Sequence, residues 1–411
     1  MASDDLIVGL DIGTSKVTAI IAERNYDGDI DIIGIGQTKS TGLRRGVVIN
    51  IEATLKSVSE AIEEAEQMAG RDVYEVVTCL AGGAIEGINS RGVVAITGKG
   101  REISEEDISR VIDAAKAVVI PMDREVLHVI PQEFIVDDQR GIKDPLNMIG
   151  IRLESEVHII TGSVSSSQNL IRCVNRAGFK VNEIILESIA VSRSVLNKDE
   201  REMGVLLIDL GGGTTDIMVY MDGAPFHSSL ISIGGDQVTS DLSYGLKIPP
   251  EEAERIKIQS GICYFPLVEE GSEVILPALG SRPATYIPKQ TICEIIQPRM
   301  EEIFSMVREQ ILRKNYHNRL GGGIVLTGGG ALLSGAVELA QEMFGLPVRI
   351  GLPFKLHGLS DEYSTPDMAT AIGLVQYTWD KKKSELGEVL PKREIEYPFW
   401  SKLKRWLKEF I

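Results

Sequence analysis

The sequence predicts an α/β protein of two related lobes around one cleft, with a small α/β insert and an amphipathic helix at its end. Three observations carry that prediction. Residues 6–23, LIVGLDIGTSKVTAIIAE, read as an apolar strand, a tight polar Gly turn and a second strand rich in Val, Thr and Ile. Residues 204–223, GVLLIDLGGGTTDIMVYMDG, repeat that plan nearly 200 residues later. The last fifteen residues, YPFWSKLKRWLKEFI, place apolar side chains on one helical arc and basic ones on the other.

In the repeated unit, Asp11-Ile-Gly13-Thr14-Ser15 answers to Asp209-Leu-Gly211-Gly-Gly-Thr214-Thr215 in chemistry and place. Both Gly turns join two strands, whereas a P-loop or Rossmann Gly turn opens a helix. The residue types suit phosphate. Glycines let backbone N–H groups approach phosphate oxygens, and Thr14, Ser15, Thr214 and Thr215 add hydroxyls. Asp11 and Asp209, at strand ends, can orient water around a Mg²⁺ held mostly through water and phosphate.

A third Gly-rich segment, GGGIVLTGGGALLSGAVELAQEMFG, predicts a buried strand over 324–327, then Gly328-Gly329-Gly330 and a helix from near Ala331. Its N-terminus would offer free N–H groups to an anion or nucleotide. The segments at 184–196 and 364–379 predict helices whose Ala190, Ser192, Ala369, Ala371 and Gly373 permit close approach. Residues 81–162 predict a compact α/β insert, in which Ser104 and Asp107 form an N-terminal capping box.

Bulk properties narrow the function. A chain of 411 residues exceeds one ordinary core, and a net charge of −16 argues against general nucleic-acid binding. Cys79, Cys173, Cys263 and Cys293 are widely spaced with no CxxC pair, so a reducing compartment is expected. The start, MASDDLIVGL, has neither a basic nor an apolar targeting region, and no secretion is expected. The five histidines lack ligand spacing, and TGSVS lacks the second Gly of a nucleophile elbow. Asp216 follows the second loop and could influence a water, but no general base stands out.

The terminal helix is too short to span a bilayer, which takes about 20 apolar residues. Phe399, Trp400, Leu403, Trp406, Leu407 and Phe410 face one way, with Lys402, Lys404, Arg405 and Lys408 opposite. That pattern predicts a helix lying in an anionic membrane interface. The alternative is a terminal helix packed on its own domain. The charged, Pro-containing stretch before it reads as a tether and favours the membrane.

The order of phosphate loop, small-residue helix, phosphate loop, GGG loop and small-residue helix resembles the actin/Hsp70/sugar-kinase ATPase superfamily. The resemblance implies an actin-like fold, two ribonuclease-H-like lobes around ATP. Within that superfamily the chain resembles the FtsA family of bacterial cell-division proteins, most specifically in GREISEEDISRVIDAAKAVVIPMDREVLHVIPQEFIVDDQRGIKDP and the basic Trp-containing end. It implies ATP and Mg²⁺ binding, self-assembly into filaments, peripheral anchoring on the cytoplasmic membrane face at the division site, recruitment of other division proteins, and binding of the FtsZ C-terminal peptide. Any ATPase activity is expected to be slow. A superfamily kinase and a pilus-assembly actin-like protein are the rival readings.

Carried over by resemblance, Asp11, Gly13, Thr14, Ser15 and Lys16 form the first phosphate loop. Asp209, Gly211, Gly212, Gly213, Thr214 and Thr215 form the second, and Gly328, Gly329 and Gly330 the adenosine loop. Gly235 lies in a Gly-Gly turn near nucleotide, and Glu254 and Lys257 resemble ribose contacts, with an exposed surface pair as the alternative. Arg299 and Glu302, in a helix where Pro298 is a kink or a start, are candidates for the FtsZ peptide or else an ordinary surface pair. The expected domains are 1–80, 163–200 and 364–380 (first lobe), 81–162 (insert) and 201–363 (second lobe, 240–320 its smaller subdomain). A linker at 381–396 and a membrane helix at 397–411 follow.

Overall fold

The computed structural model describes residues 6–25, 28–82, 85–97, 100, 102–278 and 283–385. The expected membrane helix at 397–411 and most of the expected linker lie outside the described residues.

In chain order, β1 (Leu6–Ile12), β2 (Lys16–Arg24) and β3 (Ile30–Lys39) form an antiparallel meander. A short ribbon, β4 (Leu43–Arg44) and β5 (Val47–Val48), leads to α1 (Ile51–Ala69) and β6 (Glu75–Leu80). Asn50 starts α1 by accepting from the Ala53 N–H, and Gly70 ends it in the left-handed region. The insert follows as β7 (Glu86–Ala95), α2 (Glu105–Ala115), β8 (Arg124–Val136), β9 (Gln139–Ile142) and β10 (Arg152–Ser163). The chain then returns through α3 (Val164–Arg176), β11 (Lys180–Leu186) and α4 (Glu187–Val195). Residues 184–186, expected as helix, complete β11 instead. Their IIL triplet is buried and pairs with Thr78–Leu80, so sheet pairing overrides the helical pattern.

After α5 (Lys198–Met203), the hairpin recurs as β12 (Val205–Leu210) and β13 (Thr215–Met221), with β14 (Ala224–Ile231) alongside. Next come α6 (Gly235–Leu246), α7 (Pro250–Ser260), β15 (Glu273–Leu276), β16 (Thr285–Pro288) and α8 (Lys289–Arg313). The chain closes with β17 (Ile324–Thr327), α9 (Ala336–Phe344), β18 (Val348–Ile350) and α10 (Ala369–Glu385).

The two large sheets run β11-β6-β1-β2-β3 and β14-β13-β12-β17-β18. Each has an antiparallel three-strand meander whose first strand pairs in parallel with a fourth, and that with a fifth. The repeat visible in the hairpins thus extends over both whole sheets. The insert is a separate sheet, β7-β10-β8-β9, covered by α2, with its own buried cluster around Val111, Ile112, Leu153, Val157 and Ile159. The expected Ser104–Asp107 capping box is present at α2.

Small residues govern where α4 meets α10. A Cβ on Gly373 would sit 1.9 Å from the Ala190 carbonyl oxygen, so only glycine allows this separation. Pro298 lies inside a continuous α8 and not at its start; a buried face running from Ile292 to Ile311 carries the helix across. Two expectations fail locally. Near Ala331 only a short 3₁₀ turn, Gly329–Leu332, follows the Gly run, and the helix waits until Ala336. Gly335, at φ +85°, and the bond from the Cys263 N–H to the Ser334 carbonyl redirect the chain in between. Finally, α10 continues to Glu385, held by Lys381–Glu183 and Lys383–Asp29 ion pairs, so the first residues of the expected linker are helical.

Candidate functional site

Both Gly turns close with the same hydrogen bond. The Gly13 N–H donates to the Lys16 carbonyl at 3.0 Å, and the Gly211 N–H to the Thr214 carbonyl at 3.0 Å. The turns belong to different lobes and face each other. A Cβ on Gly212 would stand 1.9 Å from Ser15 Oγ, and one on Gly213 would stand 2.7 Å from Thr14 Oγ1 and 2.8 Å from the Arg45 backbone. At Gly213 the Arg45 backbone leaves room for hydrogen alone, and at Gly212 a Cβ would have to displace Ser15 Oγ. Thr14 Oγ1 also accepts from the Gly46 N–H at 3.0 Å, so the ribbon after β3 braces the first loop.

The other Gly segments join the same place. The Gly235 and Asp236 N–H groups, opening α6, donate to the carbonyls of Gly211 and Gly212 at 2.9 and 2.8 Å. A Cβ on Gly328 would meet Asp209 Oδ1 at 2.1 Å, and one on Gly330 would meet Leu210 Cβ at 2.7 Å. Gly329 is exposed. Glu254 and Lys257 are salt-bridged at 2.7 Å, and Lys257 Nζ also donates to Thr239 Oγ1 (2.9 Å) and the Gly235 carbonyl (3.2 Å). They pack on the Gly234-Gly235 turn and are not a free surface pair. Thr215 is less available than its sequence position implies, since it is fully buried and donates to the Ile233 carbonyl at 2.8 Å.

Four carboxylates lie behind the loops, Asp11, Asp209 and Asp216 buried and Glu187 half-buried. Asp11 and Asp209 end the first strands of their sheets, and Asp216 pairs across from Asp209 in the β12–β13 ladder. Glu187 opens α4. Burial pushes Asp11 up to about 6, against the pull of Lys16, and pushes Asp216 up to about 7. Burial, then Asp216 and Asp11, raise Asp209 well above the carboxylate range, while burial followed by Asp216, Asp209 and Asp11 does the same to Glu187. One Glu187 oxygen accepts from Thr370 at 3.3 Å, and the other is buried with no hydrogen-bond partner among the described residues. Cys79 lends Asp11 a thiol donor at 3.6 Å. Like charges held so close need a cation or protons. Among the described residues no three His, Cys, Asp or Glu side chains converge to hold a metal directly. Carboxylate oxygens are hard donors, the type that a hard cation takes directly or through water.

Two groups here were not singled out from sequence. Glu187 is a lone charge in the apolar run IILESIAV, which was the available signal. Asp367, bonded to Lys16 Nζ at 2.5 Å, had none, for nothing local distinguishes it.

Arg299 and Glu302 lie in the middle of α8 and are bonded to each other, while Arg299 also grips Asp241 of α6 through Nε and Nη2 at 2.7 and 3.2 Å. Arg299 therefore ties two helices together. A cavity of about 450 Å³ lies away from the Gly loops, between the insert and the second lobe, lined by residues including Ile108, Phe134, Lys143 and Asp222.

Comparison with known proteins agrees along the whole chain. Residues 206–373 match the family described as "Cell division protein FtsA", and 82–161 match "SHS2 domain inserted in FTSA". A cell division protein FtsA from Borreliella burgdorferi is 52% identical over 412 residues, covering 100% of both chains. Those from Escherichia coli K12 and Bacillus subtilis are 39% and 37% identical, covering 98% and 96% of this chain and 98% and 89% of their own. Among solved structures, a PilM–PilN type IV pilus biogenesis complex gives a TM-score of 0.65 at 16% identity, over 91% of this chain and 98% of that one. MreB5 of Spiroplasma citri bound to ADP gives 0.55 at 16%, over 94% and 100%. At such identities these two establish an actin-like fold alone. The two matching sheets, the inserted subdomain and full-length identity of 52% together place this chain in the FtsA family of cell division proteins.

Proposed function

We propose that the chain binds Mg-ATP between its lobes and acts as a polymerising adaptor that attaches the FtsZ ring to the cytoplasmic face of the membrane. The observation that supports nucleotide binding best is the close opposition of Thr14 and Ser15 to Gly212 and Gly213, backed by buried carboxylates. The backbone of Gly13 and Gly211–Gly213 and the hydroxyls of Thr14, Ser15 and Thr214 would take the phosphates, with Lys16 as counter-charge. Gly328, Gly329 and Gly330 would border the adenosine, and Gly235, Glu254 and Lys257 the ribose. Asp11 and Asp209 would hold Mg²⁺ through water, and the ion would offset phosphate and carboxylate charge. In this reading Thr215 shapes its loop through Ile233 and does not touch phosphate.

The membrane role in this reading rests on residues 397–411. One basic residue near an anionic surface contributes about 1 kcal/mol, and several helices held in one polymer bind together with added avidity. Assembly driven by ATP would thereby strengthen anchoring. Filaments on anionic lipid monolayers, imaged with and without Mg-ATP, test the whole reading. We expect ATP-dependent filaments from wild type and none on lipid from Trp406→Glu, which sets a charge in the apolar arc. Equal sedimentation of that variant with anionic vesicles would remove the membrane role. Rapid phosphoryl transfer to a small metabolite would favour a kinase.

A further inference from the structure

Asp367 lies in the 3₁₀ turn Pro366–Met368, between the last Gly loop and α10. The second lobe grips this turn, since the Gly328 N–H and the Thr327 hydroxyl both donate to the Pro366 carbonyl at 3.2 Å. The first lobe grips it too, through Gln37 Nε2 to Met368 Sδ at 2.7 Å and Lys16 Nζ to Asp367 Oδ2 at 2.5 Å. Lys16 is also the cation whose charge pulls Asp11 down against the effect of its burial, so one ammonium serves two carboxylates. The Lys16 and Asp367 side chains are 27% and 31% exposed, which leaves the pair open to exchange with an entering anion.

We propose that Asp367 is a positioning residue that holds Lys16 in an internal ion pair, from which the nucleotide phosphates must take it. This rests on the Mg-ATP reading and adds a competitor inside the site. Without phosphate, the Lys16 ammonium needs a counter-ion, and Asp367 supplies one at no cost in new order. With phosphate, Lys16 is shared or surrendered, and the turn at the base of α10 loses one of its ties to the first lobe. Apparent affinity is then the intrinsic affinity reduced by the fraction of molecules with Lys16 free.

The test is equilibrium binding of Mg-ATP, Mg-ADP and adenosine to the full chain and three variants. Asp367→Asn should bind Mg-ATP and Mg-ADP about fivefold more tightly than wild type, while adenosine, lacking phosphate, binds unchanged. Lys16→Met should bind both nucleotides more weakly, and adding Asp367→Asn to it should restore nothing. Equal or weaker Mg-ATP binding by Asp367→Asn overturns the proposal. So does a gain that persists in the Lys16→Met background, because plain repulsion between Asp367 and phosphate would then explain it. Wild type that binds no Mg-ATP ends the nucleotide reading itself, a pattern distinct from a failed variant ratio.

Discussion

Gly329 and Asp216 show what single residues decide at the site. Of the three glycines in the last loop, only Gly329 has room, since its nearest would-be Cβ neighbour is Asp367 Cβ at 3.9 Å. Gly329→Asp should therefore fold, and should weaken Mg-ATP binding by about tenfold or more through like-charge repulsion. Normal affinity in a folded variant would take this loop out of the site. Asp216 makes a pH prediction. Asp11 and Asp216 titrate near 6 and 7 in the folded chain against 3.8 unfolded, so between those values the folded state holds more protons. The contribution to stability is complete below pH 4 and is lost as pH rises through 6 to 7. Asp216→Asn should accordingly stabilise nucleotide-free protein at pH 8 by on the order of 1–3 kcal/mol, read as a higher apparent unfolding temperature, with little gain near pH 4. Equal gains at both pH values would mean that buried charge is not the cause.

Elements were legible where chemistry is local and periodic. Both hairpins, the α2 cap and the small-residue faces of α4 and α10 follow from residues close in sequence. What sequence could not supply came from distant partners. The delay of α9 to Ala336 depends on Cys263 bonding Ser334, some 70 residues away, and Asp367 matters only because Lys16 meets it 351 residues apart. Pro298 within α8 is the same lesson, for packing on both sides carries a helix through a residue that alone argues for a break. The α4–α10 contact gives a sharp stability test. Gly373→Ala puts a methyl carbon into the Ala190 carbonyl and must push these helices apart, which should cost about 2–4 kcal/mol. Urea unfolding of wild type and variant measures it, and a difference under about 0.5 kcal/mol would show that the helices separate freely.

For the whole molecule, the insert belongs to the first lobe by chain and to both lobes by contact. His158 on β10 sits between Asn89 Oδ1 (2.6 Å) and Ser228 Oγ of β14 (2.9 Å), and Gln132 and Asn89 amides reach the Pro225 and Phe226 carbonyls. Burial, helped by His227 and His128, drives His158 down to about 3, so this imidazole stays neutral near neutral pH. Ile160 and Leu127 also enter the buried clusters of the main body. Cutting out the insert would therefore damage the lobes, and a loss of filaments after deletion would say little about contacts between molecules. The outer surface offers a cleaner experiment. Val119 and Met122, after α2, are apolar and 96% and 103% exposed. If filaments use the insert as one end contact, Val119→Asp combined with Met122→Asp should reduce assembly while leaving unfolding temperature and Mg-ATP affinity unchanged, because exposed substitutions shift stability by about 0.5 kcal/mol or less. Sedimentation with Mg-ATP reads assembly directly. Filaments of normal length and repeat from the double variant would place the contact elsewhere on the molecule.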